Sequence, residues 1–420
     1  MNWLTKFKIG LITFILCSNV DLLAHQAPST IYELMNSDFA GESDQIKGVA
    51  HALDILFKEK TLSAPHTLIF DLKKDSSGKA FDFSSLDNIP RDTPHAIFIS
   101  SGTYGIEAFH QLKERRTKGI FVYVSHQILE DDTTLTSSLK SLANVATLIV
   151  LPHHIFEGND PRAEDLKKTL SASHTTLLEI TGVAHNVQKE ELSQEANIYQ
   201  DKLRLAQKYM LVVLGGDVQN QDGKTWTYYT PQDAQKLATY VVSKMEQDKD
   251  LCVLVTNGPR TGKFDPSTTH EAEFHKKGAP LDPVTKAFMD AIPSHNKNQL
   301  YLFNFEKGET SLFKALLGLT SKSKGYVLIP GESTSMISQA IDNMPCGSVI
   351  LYMHKAMQQI HTNHLNDELQ QGRAALLILS EDTQTYTLKN AGPCRSISPI
   401  SSSTLIAKKI WELIHVKKEN

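Results

Sequence analysis

Cysteine is scarce in this sequence and follows no ligand motif. Four cysteines, at positions 17, 252, 346 and 394, are spread over 420 residues without a Cys-x-x-Cys spacing. This pattern supports neither a zinc knuckle nor a dense disulfide framework, so buried, unoxidised thiols are the expectation. An excess of one charge is also missing, since 43 Lys and Arg against 47 Asp and Glu leave a net charge of −4. Nucleic-acid binders usually carry a basic surplus, so no nucleic-acid partner is predicted.

Long hydrophobic runs are absent too. No uncharged stretch reaches the roughly 20 residues that span a bilayer. The apolar run of residues 9–17 follows Lys6 and Lys8, so residues 1–24 have the plan of a signal peptide. We expect cleavage after Ala24, with an uncleaved membrane anchor as the alternative. The predicted location is the cell envelope, either exported to the periplasm or associated with the inner membrane; a cytoplasmic protein is the alternative.

Several catalytic signatures are missing. The sequence has no His-Glu-x-x-His pair, no Walker A ending and no Gly-x-Ser-x-Gly elbow. His153 and His154 are adjacent, with Glu157 and Asp160 nearby, but neighbouring residues of an extended strand point to opposite faces. We therefore predict no metal site and no cofactor.

What the sequence does contain is an alternation of short apolar runs and longer amphipathic ones. Repeated strand, helix, strand units indicate parallel sheets covered by helices on both faces. The predicted strands are Thr30–Met35, His66–Leu72, His95–Ser100, Gly119–Val124, Thr147–Leu151, Leu211–Leu214, Leu251–Thr256, Gln299–Phe303, Gly325–Leu328 and Ser348–Met353. The predicted helices are Asp44–Glu59, Ile106–Arg116, Pro231–Gln247, Pro283–Ala291, Thr310–Leu319 and Ser333–Asn343.

This pattern runs twice along the chain. We predict an α/β fold of two doubly wound, Rossmann-like domains, over residues 29–205 and 208–400, with the polar stretch 188–207 as a connecting helix or linker. A final amphipathic helix, residues 403–416, is expected to pack back on the first domain. Two such domains face each other across a cleft, because open parallel sheets bind ligands beyond the carboxyl ends of their strands.

The strongest candidate site is the segment YVLIPGESTSMISQA, residues 326–340. An apolar strand and a Pro-Gly turn lead into a helix whose first amides and dipole attract phosphate. Gly331 allows close approach of a ligand, and Glu332 is expected to hold ribose hydroxyls. A capped structural helix is the alternative interpretation. The hydroxyls that we expect to add donors are those of Ser333, Thr334 and Ser335.

Two further strand ends belong to the second domain. LVVLGGD ends in Gly215 and Gly216, which leave the backbone bare. LCVLVTNGPRTG ends in a turn that contains Asn257, Arg260 and Thr261. The guanidinium of Arg260 is well suited to bind a phosphate. Tight turns with a solvated arginine are the alternative.

The first domain offers weaker candidates. The turn after the first strand places Gly41, Glu42 and Gln45 near the predicted cleft, and a second strand end contributes Gly102 and Thr103. Glu42 and His126 are the candidate catalytic bases.

The strand ending in Gly215-Gly216, the Arg260-Thr261 turn and the Glu332-Ser333-x-Ser335-Met336 helix start resemble, in order and spacing, the family of mitochondrial-fission ELM-like proteins. Gly41 to Gly48 and Leu151-Pro152-His153 also resemble that family's first domain, although His154 stands where the family tends to place an acid.

This resemblance implies a GT-B-like fold, a nucleotide-sugar donor in the second domain and an acceptor on the first. It adds Met336 to the expected binding residues. The predicted function is a glycosyltransferase of envelope glycan or lipid metabolism, with UDP as the guessed nucleotide, an unknown acceptor and a membrane surface as a further partner. The alternatives are a non-catalytic envelope binding protein and a sugar-nucleotide epimerase.

Overall fold

The computed structural model describes most of the chain between residues 30 and 416. The described ranges are 30–61, 63–93, 96–127, 139–157, 160–200, 203, 208–220, 224–262, 274–380, 385–389 and 400–416. The predicted export segment, residues 1–24, lies outside them. Among the described residues, no helix is both long and apolar enough to cross a membrane.

Six parallel strands form the sheet of the first domain, in the spatial order β2-β1-β3-β4-β5-β6. The order reverses between β1 and β3, so the loops that follow these strands diverge and open a crevice. The strands are β1 Thr30–Met35, β2 His66–Asp71, β3 Ile97–Ser100, β4 Ile120–Val124, β5 Leu148–Pro152 and β6 Thr176–Ile180, and the helices are α1 Ala40–Thr61, α2 Gly102–Glu114 and α3 Pro161–Ser171.

Seven strands form the sheet of the second domain, in the order β11-β10-β7-β12-β13-β14-β15, with only β15 antiparallel. Its order reverses between β7 and β12. The strands are β7 Lys208–Val213, β10 Leu251–Thr256, β11 Leu300–Phe303, β12 Tyr326–Pro330, β13 Val349–Tyr352, β14 Ala375–Leu379 and β15 Tyr386–Lys389, beside a small hairpin of β8 Val218–Gln219 and β9 Trp226–Thr227.

Helices cover both faces of the second sheet as well. The helices from residue 189 onward are α4 Lys189–Gln200, α5 Pro231–Gln247, α6 Pro283–Asp290, α7 Phe313–Lys322, α8 Thr334–Asn343, α9 Gln359–Gln370 and α10 Ser402–Val416. One face of the sheet carries α5 and α6, and the other carries α7 and α8. The predicted fold class is therefore confirmed: the described residues form two doubly wound α/β domains.

Strand β7 shows why the sequence folds this way. Its residues alternate between the two faces of the sheet, because successive side chains of a strand point in opposite directions. Leu211 and Val213 pack under α7 and α8, whereas Met210 and Val212 pack under α5 and α6. Since both faces are covered by helices, the strand reads as a continuous apolar run.

Polar contacts and two helices connect the domains. Helix α4 packs on α7 so closely that a Cβ at Gly318 would lie 2.2 Å from the Leu192 carbonyl oxygen. Helix α10 packs on α1 of the first domain, with Trp411 against Phe57. The backbone N–H of Val183 donates to Ser338 Oγ across the interface at 2.8 Å.

Several elements were not predicted. They are strands β6, β14 and β15 and helices α3 and α9, of which β14 is a short continuous apolar run, ALLIL, that was not recognised as a strand. Helix α9 reads as polar, yet His364 and Glu368 on it are buried at the domain interface. A helix that buries polar side chains against another domain lacks the apolar stripe by which a helix is recognised in a sequence.

The expectation of unoxidised cysteines is wrong for Cys346, which is disulfide-bonded. Cys252 is a buried thiol, as expected. Spacing along the sequence does not reveal which distant cysteines meet after folding.

Candidate functional site

The candidate site lies where the strand order of the second sheet reverses. The loops after β7 and β12 meet there, and the backbone N–H of Gly216 donates to Glu332 Oε1 at 2.7 Å. A Cβ at Gly216 would come within 2.9 Å of the Arg260 Cβ, so the absence of a side chain lets the loop after β10 approach. The predicted strand ends thus converge.

Glu332 forms the buried floor of this site. Its Oε2 contacts His354 Nε2 at 2.5 Å, and its other oxygen is occupied by Gly216. Burial alone would raise the pKa of Glu332, but His354, Arg260 and the Gly216 N–H together hold the pKa below its ordinary value. In this structure the Glu332 carboxylate therefore links its own loop to the loops that hold Gly216 and His354. The predicted contact of Glu332 with ribose would have to replace one of these two hydrogen bonds.

The amino end of α8 lies directly above this floor. Ser333 occupies the N-cap position but makes no side-chain capping bond. Its hydroxyl and the first amides of the helix are thus left for another acceptor. Arg260 is exposed and forms no ion pair with a carboxylate in the described part of the chain.

These groups face a cavity of about 470 Å³ between the domains. The second domain lines it with Arg260, Glu332, Ser333, Thr334, Ser335 and Met336, as predicted, and also with Val218, Gln219, Gln358, Ile360 and His361. The first domain lines it with His126, Gln127 and His154.

His126 is the predicted base that reaches this cavity. Its Nδ1 lies 3.0 Å from the side-chain amide of Gln45. Burial lowers the pKa of His126, so the ring is neutral near pH 7. The structure places Gln45 Nε2 at this contact and leaves Gln45 Oε1 without a partner among the described residues. The two amide orientations are not distinguished by shape, and turning the amide lets Oε1 accept from Nδ1–H, so that Nε2 of the ring becomes the basic nitrogen.

His361 also faces the cavity, although it was not among the predicted site residues. Its Nδ1 accepts the backbone N–H of Gln358 at 3.1 Å. Burial lowers the pKa of His361 to about 4, although the nearby Glu332 acts in the opposite direction. The signal was available, because His354, Gln358 and His361 all follow the correctly predicted strand β13, as site residues in parallel sheets do.

Glu42 lies elsewhere in the first domain. A Cβ at Gly102, whose φ is +67°, would come within 2.2 Å of Glu42 Oε2, so glycine is required there for both conformation and space. Burial raises the pKa of Glu42. Gly41, Glu42, Gly102 and Thr103 sit at the carboxyl ends of β1 and β3 but are not part of the cavity lining.

The remaining predicted residues have structural contacts. Asn257 donates to Asp282, Thr285 and Asn304, and its Oδ1 accepts the Phe305 N–H at 2.6 Å. Three other positions pack or bond within the second domain: Gly215 against Tyr229, Thr261 with the Gly258 N–H, and Gly331 against Met357 and Leu365.

Comparison with known proteins identifies the family. The sequence model of the family described as Mitochondrial fission ELM1 matches residues 40–265, more than half of the chain. The chain belongs to this family, which confirms the resemblance noted in the sequence. No curated protein matches at a significant level.

Three solved structures illustrate the structural neighbours. UDP-GlcNAc 2-epimerase from Methanocaldococcus jannaschii is 11% identical, with a TM-score of 0.42 over 91% of this chain and 99% of that chain. The trehalose 6-phosphate synthase of Burkholderia multivorans is 8% identical, with a TM-score of 0.41 over 93% and 95%. An E. coli trehalose-6-phosphate protein bound with UDP-2-fluoro glucose is 11% identical, with a TM-score of 0.41 over 93% and 96%.

Proposed function

We propose that this member of the Mitochondrial fission ELM1 family is a glycosyltransferase that uses a nucleotide-sugar donor. One observation carries the proposal: a helix amino end without a side-chain cap and the exposed Arg260 share a cavity with His126, a half-buried, neutral histidine of the opposite domain. The helix amino end and the arginine can bind a diphosphate, and the histidine can accept the proton of an acceptor hydroxyl.

The donor half of the reaction belongs to the second domain. The amides at the start of α8, with the hydroxyls of Ser333 and Thr334, would bind the diphosphate, and Arg260 would neutralise the charge that grows as the sugar–phosphate bond breaks. The nucleoside diphosphate leaves with the electron pair of that bond. UDP is the nucleotide we test first.

The acceptor half belongs to the first domain. Nε2 of His126 would take the proton of the acceptor hydroxyl while its oxygen forms the new bond to the sugar carbon. Gln45 would hold the ring in the required tautomer. Of the two predicted bases, we assign this role to His126, because Glu42 does not line the cavity.

We also propose that the protein works in the cell envelope. The signal-like start motivates this location, and the disulfide at Cys346 supports it, because disulfides persist in oxidising compartments. Cell fractionation with N-terminal sequencing tests it. A cytosolic full-length product would contradict it.

Calorimetric titration with UDP, GDP and ADP tests the donor site. We expect saturable binding of at least one nucleotide, weakened in Arg260→Ala and unchanged in Arg91→Ala, an exposed arginine of the first domain. Absence of binding by every nucleotide would overturn the proposal.

A non-catalytic envelope binding protein is the second candidate. The disulfide at Cys346 favours it, because nucleotide sugars are scarce outside the cytoplasm. Nucleotide binding without transfer to any acceptor and without release of free sugar would support this candidate. Conversion of the donor to an epimer in the absence of acceptor would instead indicate an epimerase.

A further inference from the structure

A second cluster of ligand-type side chains lies beside the cavity, at the contact between the domains. His153 and Glu157 come from the segment after β5 in the first domain, and Asp367 comes from α9 in the second. More than 200 residues separate Asp367 from the other two in the sequence. The neighbouring His154 turns away from this cluster and contacts His364, with 3.2 Å between the two Nδ1 atoms.

The spacing of these atoms matches a metal site. His153 Nδ1 lies 3.4 Å from Glu157 Oε1 and 3.9 Å from Asp367 Oδ1, and one ligand atom from each residue falls within 4.8 Å of the others. Ligands bound to Zn²⁺ at about 2.0–2.2 Å in a tetrahedron are about 3.3–3.6 Å apart. Small side-chain rotations would therefore bring all three onto one ion.

An independent observation concerns Asp367. Its side chain is only 2% exposed, and Oδ2 is buried without a hydrogen-bond partner among the described residues. An unsatisfied buried carboxylate oxygen is costly, and a bound cation would compensate it. His153 is half exposed, so the cluster is open to ions from solvent.

The local backbone keeps the two sides together. The side chain of Asn363, one turn before Asp367 on α9, donates to the Glu157 carbonyl oxygen at 2.7 Å. This bond positions the carboxylates of Glu157 and Asp367 on the same side of the interface without involving their oxygens.

We propose that His153, Glu157 and Asp367 bind one divalent transition-metal ion, best matched by Zn²⁺, which links the two domains beside the donor cavity. One imidazole nitrogen and two carboxylate oxygens form a donor set typical of such ions, with the fourth position left to water. The ion would hold α9 against the first domain. The first turn of α9 contains the cavity residues Ile360 and His361. This inference does not depend on the proposed glycosyltransferase activity.

Zinc titration of the full, chelator-treated protein against a chromophoric competitor tests the site. We expect one tightly bound Zn²⁺ per chain, and at least a roughly 100-fold loss of affinity in Asp367→Asn and in His153→Ala. His153→Ala is included because His153 is half exposed, so its replacement should leave the fold intact. Asp290→Asn and His174→Ala, both at exposed positions, should bind as the wild type does.

Two further measurements separate a link between domains from ordinary surface binding. Zinc should raise the Tm of the wild type by several degrees and leave the Tm of Asp367→Asn unchanged. Hydrogen exchange should slow in both residues 153–157 and α9 when zinc is added. Equal affinity in Asp367→Asn and the wild type, or protection of only one of the two segments, would overturn the proposal.

Discussion

The two walls of the cavity differ in charge. The wall of the second domain carries an exposed guanidinium, a buried carboxylate and the positive end of α8. The wall of the first domain carries His126 and His154, whose pKa values are lowered by burial, to about 3 for His154. Under the proposed function, the wall of the second domain would bind an anion and the wall of the first domain would exchange a proton.

This difference shows that two domains of the same architecture can present different chemical groups to one cavity. Both sheets reverse their strand order, and both place loops at the reversal. In the first domain that space is filled by Glu42 packed against Gly102, whereas in the second it remains accessible above Glu332. Four substitutions test the assignment of the two walls.

The largest effect is expected for His126→Ala. Loss of a general base should lower kcat by about 10²–10⁴-fold. The Kd for UDP should stay unchanged, because the nucleotide binds the opposite wall. Steady-state transfer assays combined with calorimetry give both values, with His174→Ala as the control. A loss of UDP affinity as large as the loss of kcat would show that His126 takes part in nucleotide binding.

Arg260→Ala should weaken nucleotide binding by about 100-fold, because a charge-assisted contact to phosphate is lost from a partly enclosed site. Its thermal stability should change little, since the side chain is exposed. Titration at two salt concentrations measures the effect, and the affinity of the variant should depend less on salt. Unchanged affinity would remove Arg260 from the donor site.

His361→Gln should reduce the acid sensitivity of the fold. Burial lowers the pKa of His361 to about 4 from 6.5, so between these values the unfolded chain binds more protons than the folded one. Stability is therefore lost as the pH falls through this window. The variant should lose roughly 2–3 kcal/mol less than the wild type between pH 7 and pH 4.5 in urea unfolding. Parallel losses in both proteins would contradict this.

The smallest effect is expected for Ser333→Ala. Because Ser333 makes no side-chain capping bond, its loss should change the unfolding free energy by less than about 0.5 kcal/mol. UDP binding should weaken by several-fold. The matched control is Thr230→Ala at the start of α5, where a complete capping box is present and about 1 kcal/mol should be lost. A similar stability loss in both variants would show that Ser333 serves only the helix.

Local pattern was enough to find most of the residues with which the second domain lines the cavity next to Glu332. The alternation of strands and helices, the glycine turn after β7 and the Gly331-Glu332-Ser333 helix start are short-range features, and each was recognised from neighbouring residues. Arg260 was found in the same way. Each strand of a parallel sheet delivers its carboxyl-end loop to the same edge, so locating the strands also located the residues.

The partnerships of those residues could not be predicted. Glu332 was expected on a ribose, and only the folded chain shows it held by Gly216 and His354. The same limit applies to Cys346, which is disulfide-bonded although no local spacing marks it. Contacts between residues far apart in the chain are set by packing and leave no local pattern.

The sequence by itself determined the α/β class, the family and the helix start after Glu332, because backbone conformation and strand burial follow from short-range periodicity and turn chemistry. Tertiary structure alone decided that His126 and His361 share one cavity with Arg260, and that Asp367 meets His153. Those distances depend on how two separately folded sheets pack against each other, a property that no segment of the chain contains on its own.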